Sequence, residues 1–142
     1  MVRQTKQRKL ILEELKKIKT HPSAEEFFLL LKKKMPSISF STVYRNLNFL
    51  KNNGEVLELA FGKNQSRYDG DTSEHHHFFC LICNRIFDVH FSSQDNLKRK
   101  IEKKIGCRIT YQRRSFYGYC KDCRGKKLKE KLRIMELNER KK

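Results

Sequence analysis

Residues 41–61 read STVYRNLNFLKNNGEVLELAF, and the change of pattern inside this stretch decides the fold. In its first half, apolar residues recur at helical spacing, which predicts a helix over 42–52 capped by Ser39 or Ser41. Gly54 ends that helix, because glycine readily adopts the left-handed conformation just beyond a helix C-terminus. The second half of the stretch alternates as a strand does, so a helix is followed directly by β structure.

Two more helices are predicted before this stretch, and a β-hairpin forms its end. Apolar residues at helical spacing predict helices over 6–19 and 24–34, the second with Ser23 as its N-cap. Strands over 55–61 and 66–69 flank a short turn. Three short helices followed by a hairpin are the winged-helix arrangement, which is of the helix-turn-helix type.

The rest of the chain predicts a smaller second domain that mixes helix and sheet. Strands are expected over 78–81, 85–91 and 108–116, with a helix from Ser93 to Ile105 that Gly106 ends. The fold class is therefore α+β. The predicted organisation is 1–70 for the winged helix, 71–76 for a hinge, 77–125 for a small α/β zinc-binding domain and 126–142 for a basic helical tail.

Four of the five cysteines form two C-x2-C pairs. Cys80 and Cys83 are separated from Cys120 and Cys123 by 36 residues. Two such pairs supply four thiolates at a spacing that suits a tetrahedral structural zinc ion, Zn²⁺. Redox-active pairs are the alternative. Cys107 stands alone and is predicted to be a buried, small apolar residue.

A second group of metal-binding side chains surrounds three consecutive histidines. Alternation along an extended chain places His75 and His77 on one side and His76 on the other. Asp69 precedes this segment and Asp88 follows it. Imidazole with carboxylate suits a divalent ion such as iron, manganese or zinc. The alternative is a solvated polar linker without a metal.

The charge balance favours a polyanionic partner. The chain carries 33 Lys and Arg against 16 Asp and Glu, a formal charge of +17, which suits nucleic acid or an acidic membrane face. No apolar run is long enough to cross a bilayer and no signal-peptide core is visible, so a cytoplasmic protein without a membrane partner is expected. The H-E-x-x-H pattern of zinc hydrolases is absent from the sequence, so we expect no enzyme.

The third helix is the predicted reader of double-stranded DNA. The N-terminal end of a recognition helix meets bases and phosphates, where Arg pairs with guanine, Asn with adenine, and Ser or Tyr with phosphate. A solvated polar face is the alternative. Lys63 and Arg67 near the hairpin tip could lie on the phosphate backbone. The predicted DNA contacts are Arg8, Ser41, Thr42, Tyr44, Arg45 and Asn46.

Several motifs together resemble the ferric uptake regulator (Fur) superfamily, in order and at the family's spacing, over about residues 3–125. They are TKQR at 5–8, HPSAEE at 21–26, STVYRNL at 41–47, SRYD at 66–69, HHHFFCLIC at 75–83, YGYC at 117–120 and Cys123. The resemblance implies a cytoplasmic, homodimeric, metal-responsive repressor that binds a palindromic operator. It implies that the second domain is an α/β dimerisation domain whose four cysteines hold zinc.

The resemblance also implies a regulatory metal site and a branch of the family. In the peroxide-sensing (PerR) branch the site would bind Fe²⁺ or Mn²⁺ through His21, Asp69, His75, His77 and Asp88. Iron-sensing members usually carry Glu where this chain has Asp88. Their frequent additional metal site uses a His eight residues before the third cysteine, and Gln112 stands there.

The implied mechanism is a metal clamp that joins the two domains and so sets the spacing of two recognition helices. With ferrous iron, peroxide would lead to oxidation of a ligating histidine, His21 or His77, and would release the DNA. One alternative within the family is an iron- or zinc-responsive repressor of metal-uptake genes. Two outside it are a zinc-dependent hydrolase or nuclease and a constitutive DNA-packaging protein.

Overall fold

The computed structural model describes residues 5–60, 65–90 and 96–125. The chain divides into two units, Met1–Ser73 and Glu74–Lys142, and each is described by itself. Three sequence-based predictions lie outside the described residues: the tip of the hairpin with Lys63, the N-cap at Ser93 and the helical tail over 126–142.

Three helices open the first unit. Their bounds are Lys6–Lys17 for α1, Ala24–Lys32 for α2 and Phe40–Asn52 for α3. The first two each end two residues earlier than predicted. In α1 the cause is local, because Ile18 takes an extended conformation with φ −92° and ψ 123° and a His-Pro sequence disfavours helix soon after.

A hydroxyl side chain caps the N-terminus of each of these helices. Thr5 accepts a hydrogen bond from the amide of Arg8 at 3.1 Å. Ser23 Oγ accepts a hydrogen bond from the backbone amide of Glu26 at 3.2 Å, as predicted. Of the two candidates for α3, the cap is Ser39, so α3 begins two residues before the predicted start. Each cap satisfies an amide that the first helical turn leaves unpaired.

The hairpin follows α3 as predicted, with shorter strands. Leu57–Ala60 (β1) pairs antiparallel with Ser66–Asp69 (β2), and Leu57 lies opposite Asp69. The amide of Glu55 still serves the end of α3, donating to the Leu50 carbonyl at 2.9 Å, so the strand cannot begin there. Gly54 has φ +74°, the left-handed conformation expected of a helix end.

A continuous apolar core joins the helices to the hairpin of the first unit. It lies where the apolar stripes of the three helices face one another, and it closes on the hairpin side with Tyr68. Its buried residues are Ile11, Leu12, Leu15, Ala24, Phe27, Leu31, Ile38, Val43, Leu47, Leu50, Val56 and Tyr68. The predicted winged-helix fold is confirmed.

A three-stranded sheet forms the second unit, with strand order β4-β3-β5. The strands are His76–Cys80 (β3), Ile86–Val89 (β4) and Ser115–Gly118 (β5). The central strand runs antiparallel to β4 and parallel to β5. Two predictions need correction: the third strand is not 108–116, and His76, assigned to the hinge, belongs to β3.

The position of β5 follows from its pairing with β3. Cys80 lies opposite Gly118, and the amide of Leu81 donates to the Gly118 carbonyl at 2.8 Å. Local alternation over 108–116 could not reveal this register, because it is the pairing with a distant strand that selects the paired residues.

The helix Leu97–Ile105 (α4) is unusual because none of its side chains is buried. Gly106 ends it at φ 69°, as predicted. Leu97, Ile101 and Ile105 recur every fourth residue and are all exposed. An exposed apolar stripe on an amphipathic helix is typical of a surface that another element covers. Within the described ranges, no helix is both long and apolar enough to span a bilayer.

Candidate metal centres and nucleic-acid interface

The four paired cysteines converge in the second unit. Cys80 closes β3, Cys83 follows in the next turn, and the other pair comes directly after β5. All four sulfur atoms lie within 4.8 Å of one another, and Cys83 Sγ is 3.8 Å from Cys120 Sγ. Zn–S bonds of about 2.3 Å arranged tetrahedrally place neighbouring sulfurs about 3.8 Å apart. The cluster therefore fits a structural zinc ion, as predicted.

The protein surroundings shift the pKa values of two of these thiols in opposite directions. Burial opposes ionisation of Cys80, but amide donors, including those of Cys83 and Cys120, lower the pKa of this thiol to about 6. Burial and hydrogen bonds to the neighbouring sulfurs raise the pKa of Cys123 to about 12. Four thiolates in such close proximity need a cation to balance their repulsion, and a divalent ion supplies it.

In the first unit, the structure brings two of the predicted regulatory ligands together. His21 Nε2 lies 3.3 Å from Asp69 Oδ2, and both side chains are almost fully buried. Asp69 closes β2, whereas His21 belongs to the turn between α1 and α2. A buried carboxylate beside an imidazole offers two ligands to a borderline-hard divalent ion.

His21 is held in an uncommon backbone conformation. Its φ is +54°, in the left-handed region that non-glycine residues rarely adopt. Arg67 fixes this turn, because its guanidinium donates to the carbonyls of His21 and Thr20. The amide of Tyr68 also donates to the Pro22 carbonyl at 2.9 Å. Arg67 therefore supports the conformation of His21, and its suggested position near the phosphate backbone stays a prediction.

In the second unit, two of the predicted histidine ligands lie close to one oxygen of the third predicted ligand, Asp88. Asp88 Oδ1 lies 3.2 Å from His75 Nε2 and 3.4 Å from His77 Nε2. The sheet register produces this arrangement, since His77 pairs with Asp88 across β3 and β4. Both imidazoles are buried. Two nitrogen ligands and one oxygen ligand suit iron, manganese or zinc.

His76 points to the other side, as the strand alternation predicted. Its Nδ1 accepts a hydrogen bond from the amide of Arg114 at 2.9 Å, and burial lowers its pKa. This histidine joins β3 to the segment before β5. A further histidine was not predicted from the sequence: exposed His90 stacks on His75 with ring centroids 5.2 Å apart.

The start of α3 carries most of the predicted DNA contacts on its surface. Ser41, Tyr44 and Arg45 are exposed, and Thr42 is half-buried. Tyr44 is 48% exposed and stacks on Phe40 at 6.1 Å between ring centroids. Exposed hydroxyl and guanidinium groups on the first turns of such a helix are suited to phosphate and base contacts.

Asn46 does not share this exposure, and its contact with adenine stays a prediction. The residue is only 7% exposed. Its amide nitrogen donates to the Thr42 carbonyl at 2.8 Å, and its oxygen accepts from Arg8 Nε at 3.1 Å. The Arg8 guanidinium also lies 3.6 Å from the centroid of Phe49. Asn46 therefore holds Arg8 beside α3, and both ends of its amide are hydrogen-bonded within the protein.

Two cysteine-related findings differ from the sequence-based predictions. Cys107 is exposed, not buried, because the segment between α4 and β5 contains no described strand to cover it.

Arg85 was not recognised as part of a site, although it contacts the sulfurs of Cys83 and Cys120 at 3.2 Å and 3.5 Å. The sequence did contain a signal for this role, because Arg85 is a cationic residue two positions after a C-x2-C pair.

This combination of a winged helix, a four-cysteine cluster and buried His/Asp groups matches one family. The chain belongs to the ferric uptake regulator family, whose sequence profile matches residues 1–117. Regulators of this family depend on metal and bind DNA as dimers.

Two relatives named for their response to peroxide are similar over most of the chain. The peroxide-responsive repressor PerR of Staphylococcus saprophyticus is 38% identical over 125 residues, covering 88% of this chain and 84% of that protein. The peroxide operon regulator of Bacillus subtilis is 37% identical over 122 residues, covering 86% and 84%.

Solved structures of the same family have a similar fold. The Helicobacter pylori ferric uptake regulator gives a TM-score of 0.75 at 28% identity, covering 89% of this chain and 85% of that one. The Campylobacter jejuni peroxide stress regulator gives 0.70 at 36% identity, covering 82% and 88%.

Proposed function

We propose that this protein is a cytoplasmic, homodimeric repressor that binds a palindromic operator when it holds a regulatory metal and releases it after peroxide exposure. The observation that carries the proposal is that the buried imidazoles of His75 and His77 lie 3.2 Å and 3.4 Å from one carboxylate oxygen of Asp88. The similarity to repressors named as peroxide-responsive favours this branch of the family.

One regulatory ion would be bound by residues of both units. The first unit supplies His21 and Asp69 as a buried pair, and the second supplies the three-residue group. Neither set alone fills the four to six positions that iron or manganese takes up. An ion that recruits both sets would restrain the winged helices of a dimer at one spacing, which is what a palindromic operator selects.

The donor set also supports a choice of metal. Three imidazoles and two carboxylates suit Fe²⁺ or Mn²⁺, whereas the thiolate cluster suits zinc. The carboxylate at position 88 is Asp and not the longer Glu that the iron-sensing members resembling this chain usually carry. Asp88 would hold the ion with this shorter side chain, and we associate Asp at this position with peroxide sensitivity.

The dimer contact is assigned to the second unit. The stripe Leu97, Ile101 and Ile105 on α4 is exposed, and so are Phe116 and Tyr117 on β5. A second copy of the chain would bury these side chains, and the buried apolar area would stabilise the dimer by about 25 cal/mol per Å².

DNA contact is assigned to the exposed residues at the start of α3. Arg45 is suited to a guanine edge, Ser41 and Tyr44 to phosphates, and Arg8 to a phosphate beside them. Phosphate contacts make affinity fall steeply with salt, so each lysine or arginine removed from a phosphate should lower the salt slope by about one.

Peroxide sensing would end in a change to a ligating side chain. Ferrous iron, when bound, would supply the activation of peroxide; overall one peroxide oxygen would go to an imidazole ring and the other would leave as water. The family resemblance makes His21 and His77 the expected targets, and both rings are buried. An imidazole that gains an oxygen atom is a weaker ligand, so the restraint on the winged helices is lost.

The test is DNA binding by zinc-replete protein loaded with Fe²⁺ or Mn²⁺, before and after low-dose peroxide. The probe is a palindromic duplex selected from a random pool by the manganese form. We expect the iron form to lose binding after peroxide with one added oxygen on His21 or His77 by mass spectrometry, and the manganese form to keep binding. If both forms bind and ignore peroxide, the protein is a metal-uptake repressor.

Two variants test the ligand assignment. His77→Ala should abolish metal-dependent DNA binding while the four-cysteine site keeps its zinc. His90→Ala is the matched control, since His90 is an exposed histidine in contact with His75; it should bind DNA as the parent does. If metal addition raises the DNA affinity of His77→Ala as in the parent, the assignment is wrong.

A further inference from the structure

One guanidinium spans both cysteine pairs of the second unit. Arg85 Nε donates to Cys83 Sγ at 3.2 Å, and its Nη2 donates to Cys120 Sγ at 3.5 Å. The same Nη2 lies 2.8 Å from Asp122 Oδ2. Asp122 stands between the two cysteines of the second pair, so this carboxylate holds the guanidinium against sulfurs from both turns.

We propose that Arg85, anchored by Asp122, is a positioning residue that protects the four-cysteine site from oxidation. It would donate two hydrogen bonds to thiolate sulfurs and so lower their reactivity toward peroxide and other electrophiles. The inference rests on the proposed function only in the choice of peroxide as the oxidant. It explains how a repressor can expose histidines to oxidation while its structural site survives.

The need for protection is greatest at one sulfur. Cys80, Cys120 and Cys123 are buried, whereas Cys83 is exposed. Oxidation begins when a sulfur lone pair attacks a peroxide oxygen; the O–O bond breaks, hydroxide leaves and the thiolate becomes a sulfenic acid. A donor already bonded to that lone pair opposes the attack, and the guanidinium lies on the sulfur that solvent can reach.

Backbone amides also donate to these sulfurs, but each serves its own cysteine. Cys80 Sγ accepts from the amide of Cys120 at 3.4 Å, and the amide of Arg85 donates to Cys83. The Arg85 side chain adds a charged donor that reaches one sulfur of each pair, Cys83 and Cys120. Four thiolates with one divalent cation carry a net charge of −2, and a guanidinium that touches two of them offsets half of this excess.

The experiment compares zinc release from the zinc- and manganese-loaded full-length protein, with a chromogenic chelator present and peroxide added or omitted. Manganese is used so that no ferrous chemistry contributes. In Arg85→Gln we expect release under peroxide to be roughly tenfold faster than in the parent, the effect of losing charge-assisted hydrogen bonds. Arg85→Lys should restore part of the protection, and Asp122→Asn should lose part. The matched control is Lys121→Gln, which removes an exposed cation beside Cys120 and should leave the rate unchanged.

A spectroscopic readout separates protection from simple loss of structure. With Co²⁺ in place of zinc, removing hydrogen bonds from the sulfurs should shift the thiolate-to-metal charge-transfer band of Arg85→Gln to lower energy. The ligand-field bands of tetrahedral Co²⁺ should persist, which shows that the site is intact. Alkylation should mark Cys83 before the three buried cysteines.

Two results would overturn the proposal. If zinc leaves Arg85→Gln under peroxide at the parent rate, the guanidinium has no protective role. If release accelerates equally with chelator alone, Arg85 acts only on the retention of metal. Neither result bears on the repressor function, which is scored separately by DNA binding and by oxygen added to His21 or His77.

Discussion

The two units of this protein are stabilised by different interactions. The first buries a continuous set of aliphatic and aromatic side chains contributed by three helices and a hairpin. In the second, the described buried apolar side chains are few: Phe79, Leu81 and Ile86 accompany three of the cysteines, and the helix α4 buries none of its own. A unit with so little apolar core needs a metal or a partner to reach ordinary stability.

This difference implies that folding depends on the four-cysteine cluster and does not depend on the His/Asp groups. The four-cysteine cluster lies wholly within one unit and substitutes for a core. The His/Asp groups are divided between units that have other sources of stability, so binding there can change without unfolding either. A site that must respond to a signal benefits from this independence.

The largest expected effect comes from removing the cysteine cluster. Cys120→Ser should unfold the second unit, because binding of a structural zinc is worth on the order of 10 kcal/mol in small zinc domains. Hydrogen exchange should then show loss of protection in 76–89 and 115–118, with α1–α3 still protected. Cys107→Ser is the control, since Cys107 is exposed, and it should leave protection unchanged. Equal loss of protection in both units would contradict the conclusion that the two units are stabilised by different interactions.

The next largest effect is expected from a substitution that would create a cavity in the core of the first unit. Phe27 is fully buried, and Phe27→Ala should lower the free energy of unfolding of this unit by about 3–5 kcal/mol in a urea titration. Phe28→Ala removes a ring of the same size from a half-buried position and should cost much less. The zinc content of the second unit should be unchanged in both variants.

A smaller effect is expected where the turn after β2 meets α1. A Cβ at position 70 would lie 2.9 Å from the backbone nitrogen and Cα of Lys16, and backbone cannot yield as a flexible side chain does. Gly70→Ala should therefore destabilise the first unit by about 1–3 kcal/mol, measured by thermal unfolding. Gly125→Ala meets nothing within 4 Å, and a comparable loss there would contradict the steric explanation.

The smallest predicted effect is electrostatic. Hydrogen bonds from Lys34 and Lys17 lower the pKa of Glu14 below its usual 4.5. The folded state therefore favours the charged carboxylate, and this stabilisation is present above about pH 4.5 and is lost as pH falls through the lower folded value. Glu14→Gln should cost about 0.5 kcal/mol at neutral pH, with the difference from the parent vanishing in acid. Glu13→Gln removes a carboxylate from an exposed neighbouring position and is the matched control; it should leave the free energy of unfolding at neutral pH unchanged.

Local signals were sufficient for most of the helices and for the zinc cluster. The hydroxyl caps, the glycine ends and the apolar spacing act within a few residues, so the sequence predicted them to within about two positions. The C-x2-C pairs work in the same way, because two residues between cysteines already bring two sulfurs to one ion. The resemblance to a known family supplied the ligand set, with His21 included, which no local pattern would have selected.

The sequence by itself determined the winged helix, the four-cysteine cluster and the alternation that turns His75 and His77 away from His76. Only the tertiary structure decided the register of β5, the burial of Asn46 beneath Arg8 and the guanidinium of Arg85 across two distant cysteine pairs. The physical reason is the separation along the chain of the residues that interact. Helix caps and strand alternation depend on residues that are neighbours in the sequence. Strand pairing and side-chain contacts such as Arg8 with Asn46 depend on residues that folding alone brings together.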